Sequence, residues 1–193
     1  MARPREFDKE AALDNAMQLF WDKGYEAASM NELAEIMGIQ KPSIYAAFGD
    51  KKSLFESALR RYNQQHAQLI RSRLQQQKSV RASFRYLFEQ LVHDATVREH
   101  SRGCFCINTL VELAPHDPRF KILTREHQMY LVAVFQEYLN RGVVSGELGA
   151  EMNVEAVSKT LMLHMIGLTV ILKGKPEASW VEQSIAAIMV VME

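Results

Sequence analysis

Disulfide scaffolds are excluded at once. The chain holds two cysteines, Cys104 and Cys106, too few to staple a fold. They stand one residue apart, a poor geometry for a mutual bridge inside a helix, and a reducing cytoplasm suits them best. The opening MARPREFDKE has no apolar segment, so no secretory signal is expected. The longest apolar run, Leu161 to Leu172, is interrupted by His164, Gly167 and Thr169. It falls short of the ~20 residues that span a bilayer, and no membrane partner is expected. Net charge is +0, from 23 Lys+Arg and 23 Asp+Glu, which gives no bulk support for a nucleic-acid partner. The six histidines show no ligand spacing such as H-x-x-x-H, so no metal site is expected. There is no glycine-rich phosphate loop, no G-x-S-x-G and no carboxylate pair with a site to serve. Enzyme and cofactor readings therefore fare poorly. A Cys-x-Cys thiol oxidoreductase would need a βαβ context, and no alternating β-branched run bounded by hairpin signals occurs.

What is present is helical. At 48% hydrophobic and 24% charged, 193 residues suit one domain or a small domain joined to a larger one. The stretch SMNELAEIMGIQKPSIYAAFGDKK, Ser29 to Lys52, organises the rest. Ser29 with Glu32 makes a capping box, which starts a helix. Leu33, Ala34 and Met37 give that helix an apolar stripe. Gly38 stands where the helix stops and the chain turns through positive φ. Gln40 to Phe48 is a second short helix, with Pro42 in its first turn, where a missing N–H matters least. Ile44 and Phe48 face inward; Gln40, Lys41, Ser43, Tyr45 and Ala46 face outward. The spacing predicts a helix-turn-helix whose exposed second helix enters the major groove.

Around it, residues 1–6 form a polar arm with Arg3 and Arg5, expected to be disordered without a partner. Asp8 caps a first helix with Leu13, Ala16, Met17 and Phe20 on one face, ended by Gly24. Asp50 caps a fourth helix running to about Gln77, long enough to connect two regions. Further helices are expected over Ser79–Val97, Cys104–Ala114, Asp117 to about Asn140, Asn153 to about Leu172, and Glu177–Met192. REHSRG is a loop, and Gly142, Gly146 and Gly149 break the chain. The last two helices are apolar over much of their circumference, as core or a subunit interface requires. An antiparallel pair meeting its copy across a two-fold makes a four-helix bundle. From Ser57 to Phe88 there is no acidic residue, while Arg60, Arg61, Arg71, Arg73, Lys78, Arg81 and Arg85 are basic. The plain reading is a solvated basic face paired with acidic neighbours elsewhere.

The N-terminal residues resemble the TetR family of bacterial transcriptional regulators. The resemblance covers the first helix ending F-W-x-x-G-Y, the segment S-M-N-E-L-A-E-I-M-G-I, and K-P-S-I-Y-A-A-F-G-D-K-K-S-L-F. R-G-C-F-C-I-N-T-L-V-E-L-A-P-H-D-P, Arg102 to Pro118, resembles the C-terminal domain of one branch. The resemblance implies an all-α protein of nine helices, with a DNA-binding domain over 6–66 and a ligand-binding and dimerisation domain over 67–193. It implies a cytoplasmic homodimer joined through the last two helices, most often a repressor released from a palindromic operator when a small molecule binds. Carried onto this chain, Gln40 and Lys41 would reach base edges, lysine suiting guanine O6 and N7. Ser43 and Tyr45 would meet phosphates or a thymine methyl. Pro42 and Ala46 share that face, where the family commonly has a small residue, often glycine, and a larger polar or aromatic one. Ser29, Met30 and Lys51 would meet phosphates. Residues 1–66 hold nine Lys/Arg against ten Asp/Glu, so DNA binding depends on local placement and is salt-sensitive.

For a ligand pocket the candidates are Phe105, Asn108, His127, Tyr130, Met162 and Met165, with His164 as a further polar group on an apolar helix. A few polar groups orient a mostly apolar guest; each polar group alone is more often a satisfied core residue, and the methionines fit plain core equally well. An alternative is a thiol-based redox or electrophile sensor acting through Cys104 and Cys106. Cys104 follows Arg102 near a helix start, where positive charge favours a thiolate. A DNA-architectural protein would have no need of so large a C-terminal region.

Overall fold

The computed structural model describes residues 7–97 and 101–193; Arg3, Arg5 and residues 98–100 of the expected loop lie outside them. Its described residues form helices and no strands, in two compact units that divide between Gln64 and Gln65.

The first unit begins with α1 (Lys9–Ala27), where the Asp8 carboxylate accepts from the N–H groups of Glu10 and Ala11 at 3.0 Å each. Gly24 leaves helical geometry at φ 80° and kinks the chain near its end. Helices α2 (Met30–Met37) and α3 (Lys41–Phe48) follow, then α4 (Lys51–Leu74), whose start is capped by Asp50 through Ser53 N–H at 2.7 Å. Phe20 meets Phe55 edge-on at 4.9 Å, Tyr25 meets Phe55 at 5.2 Å, and Trp21 meets Tyr62 at 5.0 Å. Ala16, Leu33, Ile44, Leu54 and Leu59 close this core with no exposure. Arg61 forks onto Asp14, with Nη2 to Oδ2 at 2.6 Å, and also pairs with Glu10. Burying one large apolar side chain contributes ~1.5–3 kcal/mol, an exposed ion pair ~0–1. The aromatic core therefore holds the unit, and Arg61 orients α4 against α1.

The second unit carries α5 (Val80–Val97), α6 (Phe105–Glu112), α7 (Pro118–Ser145), α8 (Val154–Ile171) and α9 (Ala178–Met189), with short 3-10 turns after α8 and α9. Its core runs from Ile70 and Leu74 through Phe84, Phe88, Leu131, Phe135, Leu161 and Met165 to Ile185 and Met189. The Glu147 carboxylate, on the loop after α7, accepts from Val80 and Arg81 N–H at 2.8 Å each. This satisfies donors that the start of α5 leaves open.

Two helix ends differ from the sequence expectation. Helix α7 does not end near Asn140 but continues to Ser145, and Gly142 lies inside it. A Cβ at Gly142 would sit 2.6 Å from Leu148 Cδ1, so the glycine marks a close approach rather than a break. Gly146 does end the helix, at φ 76°. α4 also stops at Leu74 rather than about Gln77. The acid-free stretch does find its acidic partners elsewhere: Arg71 pairs with Glu137 at 3.1 Å and Arg73 with Asp94 at 2.5 Å.

Val154–Gly174, with α8 at its heart, is long and apolar enough by composition to cross a membrane. Leu161, Met162, Met165 and Leu168 nevertheless belong to the core. What α8, α9 and the turn after α9 leave in solvent is also apolar: Leu163, Val170, Ile171, Trp180, Val190 and Val191 are all exposed, Leu163 to 69% and Trp180 to 57%.

Candidate nucleic-acid interface

Both bonds of the capping box form. Ser29 Oγ accepts from Glu32 N–H at 3.2 Å, and Glu32 Oε2 accepts from Ser29 N–H at 3.0 Å. Lys23 pairs with the same carboxylate and, with the Ser29 backbone, holds it down at about 2. Gly38 adopts φ 66°, and Ile39 N–H reaches Ala34 O at 3.2 Å, which ends α2 in one residue and redirects the chain. α3 then starts one residue later than expected, at Lys41, with Gln40 as its N-cap and Pro42 in its first turn.

This geometry divides α3 cleanly. Ile44 is fully buried and Phe48 nearly so, while Gln40, Lys41, Pro42, Tyr45 and Ala46 are exposed and Ser43 is half-buried. Tyr45 presents half its surface, 50%, although an unattached aromatic ring gains by burial. Ser29 is exposed and Met30 half-buried at the start of α2. Lys51 is placed differently. Its ammonium lies 4.5 Å from the Tyr25 ring centre and donates to Glu26 O at 3.4 Å, so it is pinned to the end of α1. The sequence reading missed Lys9, whose ammonium stands 5.1 Å over the Phe48 ring. It brings a cation from α1 to the end of α3, and no local pattern signals a contact between residues so far apart.

The residues singled out in the second unit do not share one environment. His127 is buried and its Nε2 lies 3.0 Å from His66 Nδ1; burial pushes both imidazoles below their ordinary range. Tyr130 is exposed and accepts from Arg71 Nε at 2.9 Å. Asn108 donates to Arg102 O at 3.0 Å and accepts from Lys173 at 3.2 Å. Phe105 is buried at the start of α6, and Met162 and Met165 are core. His164 Nε2 and Tyr138 Oη are buried without a hydrogen-bond partner among the described residues. Cys104 and Cys106 are buried thiols; burial, and then the Cys104 neighbour, push Cys106 well up from its ordinary value. A reactive thiolate needs the opposite.

A tight turn between two short helices, with an exposed face on the second, defines a helix-turn-helix protein. Residues 12–58 match the family model described as bacterial regulatory proteins, tetR family, and residues 82–188 match the tetracyclin repressor-like C-terminal domain. The chain belongs to the tetR family of bacterial regulatory proteins. It is 31% identical over 174 residues to the uncharacterized HTH-type transcriptional regulator YezE of Bacillus subtilis, covering 90% of each chain. It is also 31% identical to the HTH-type transcriptional repressor ComR of Escherichia coli, over 87% of this chain and 80% of that one. Among solved structures, a cysteine variant of the TetR family regulator CifR with 26-bp double-stranded operator DNA is 32% identical. It superposes with a TM-score of 0.82 over 98% of both chains.

Proposed function

We propose that the protein is a homodimeric transcriptional repressor, rather than an enzyme, that works in the cytoplasm and leaves its palindromic operator when a small molecule binds. The exposed face of α3 carries the reading. Gln40 and Lys41 contact base edges, and Ser43 and Tyr45 contact phosphate or a thymine methyl, with Pro42 and Ala46 shaping the approach. Ser29 and Met30 offer the N-terminus of α2 to phosphate. Lys51 can reach a phosphate with the donor that its Tyr25 and Glu26 contacts leave over. The DNA-binding domain is taken as residues 6–66 and the ligand-binding and dimerisation domain as 67–193.

A dimer is supported by the exposed apolar residues of α8, α9 and the turn after α9, Leu163, Ile171, Trp180 and Val191 among them. Two reading heads must stand about one helical turn apart, ~34–36 Å, to enter successive major grooves. A ligand releases DNA to the extent that it binds better to a dimer with another separation. α4 is the helix with residues in both units, which suits it to carry that change. Buried polar groups without partners, His164 Nε2 and Tyr138 Oη, favour a guest that brings polar atoms.

The test starts from genomic fragments selected by the purified protein, footprinted to find the site. Tyr45→Ala or Lys41→Ala then weakens binding by about 1–3 kcal/mol without changing the melting temperature. Unchanged affinity in both would remove α3 as the reading surface.

A further inference from the structure

The second unit holds a cavity of ≈ 930 Å³ between the end of α5 and the start of α9, within the ~300–1,000 Å³ of small-molecule sites. Val92 and Ala95 wall it from α5, Leu172 from the turn after α8, and Val181 and Ile185 from α9. None of the six pocket candidates lines it. Its polar groups are few: Glu89 on α5, Glu182 on α9, Lys175 between helices, and Thr96. Both carboxylates are exposed, and neither joins a hydrogen bond or ion pair among the described residues. Among the described residues, two carboxylates against one lysine leave the lining with a surplus negative charge. Among the described residues no aromatic side chain lines the cavity, so they supply no ring cage of the kind that recognises quaternary ammonium groups. Carboxylates instead reward a cation with N–H donors, through charge-assisted hydrogen bonds.

We infer that this cavity binds an amphipathic primary amine, its apolar chain against Val92, Leu172, Val181 and Ile185 and its ammonium on the Glu89 and Glu182 carboxylates. Helix α9 can serve such a site and an interface together. Val181 and Ile185 are buried, while Trp180 on the same helix and Val191 in the turn after it stay exposed. The inference leans on the regulator reading for one consequence only: an amine that seats α9 is placed to alter dimer geometry and hence DNA affinity.

The test is calorimetric titration of the full chain with decylamine at neutral pH, without DNA. Decyltrimethylammonium and decanoate serve as controls; decanoate is the sharper one, because Lys175 and the first turn of α9 share the rim. One decylamine binds per protomer, with decanoate about tenfold weaker or more and decyltrimethylammonium several-fold weaker. Glu89→Gln and Glu182→Gln each lower amine affinity by about fivefold or more and leave the melting curve in place. Ala95→Trp, which puts an indole against Val92 and Leu172 where the alkyl chain lies, lowers amine affinity by about tenfold or more. Equal binding of decanoate overturns the inference, as does full amine affinity in a folded Ala95→Trp protein. Should Ala95→Trp fail to fold, the double Glu→Gln variant decides alone, unchanged amine affinity being the overturning result. Loss of this binding leaves the repressor reading standing, and loss of operator binding leaves this site standing, because the amine titration contains no DNA and the operator titration no amine.

Discussion

The two units divide their chemistry unequally. All six histidines and both cysteines lie after Gln64. The first unit instead carries the aromatic cluster of Phe20, Trp21, Tyr25, Phe55 and Tyr62 and one exposed face on α3. A surface that reads DNA needs a rigid support and few titrating groups, since contacts must stay in register with base edges. A unit that receives ligands needs cavities and polar groups in apolar surroundings. The difference teaches that fold and function coincide in one short stretch of the first unit, whereas in the second they are distributed over many helices.

The sharpest way to break that comparison is to empty the small core. Ile44 sits on α3 with no exposure, back to back with its exposed face. Ile44→Ala should cost about 2–5 kcal/mol, a large share of what a small unit has. Hydrogen exchange should show α2 and α3 opening while the amides of α7 and α8 keep their protection, and operator binding should vanish. Equal loss of protection in both units would show that they unfold as one.

Legibility in the sequence follows the same division. The capping box, the Gly38 turn and the inward Ile44 and Phe48 were readable because each bond joins residues three to five apart, the range local patterns report. Lys9 over Phe48, the fork of Arg61 on Asp14 and the His66–His127 contact were not, since each joins residues far apart in the chain. The polar pocket candidates shared helical spacing but not a place: Tyr130 ended in solvent and His127 in the interior. Nothing local announced the cavity between α5 and α9, whose walls come from three separate segments. Periodicity shows that a face is buried, not what it is buried against.

A moderate effect separates the units by pH. Burial lowers His127 from 6.5 to about 4 and pushes His66 down as well, with His127 as its next cause. The unfolded chain takes up these protons near pH 6.5 and the folded chain only well below. Stability is therefore complete above pH 6.5 and is lost as pH falls toward 4, at up to ~1.4 kcal/mol per pH unit for each imidazole. The first unit has no histidine between residues 7 and 64, and Glu32, held down at about 2, keeps its cap through that window. Between pH 7 and pH 5 the melting temperature should drop, and His127→Gln should flatten the drop. An unchanged slope in the variant would show that the pair is not the source.

The smallest effect sets one glycine of each unit against the other. Gly38 has nothing within 4 Å of a built Cβ, but its φ is 66°. Gly38→Ala therefore strains the backbone by ~1–2 kcal/mol and tilts α3. Gly142 is the converse, a helical residue with no space: a Cβ would meet Leu148 Cδ1 at 2.6 Å and Cγ at 2.8 Å, and Leu148 is 3% exposed. Overpacking costs ~1–3 kcal/mol, and replacing a helical glycine returns ~0.5–1. Gly142→Ala should thus lose about 1 kcal/mol. Leu148 is the nearer of two crowding neighbours, Val80 Cγ2 standing at 3.2 Å, so a Leu148→Ala background should remove most of the loss, a coupling that a double-mutant cycle reads directly. Additive behaviour would remove the close approach as the reason a glycine lies within α7, and with it the explanation for why that helix outruns its sequence signal.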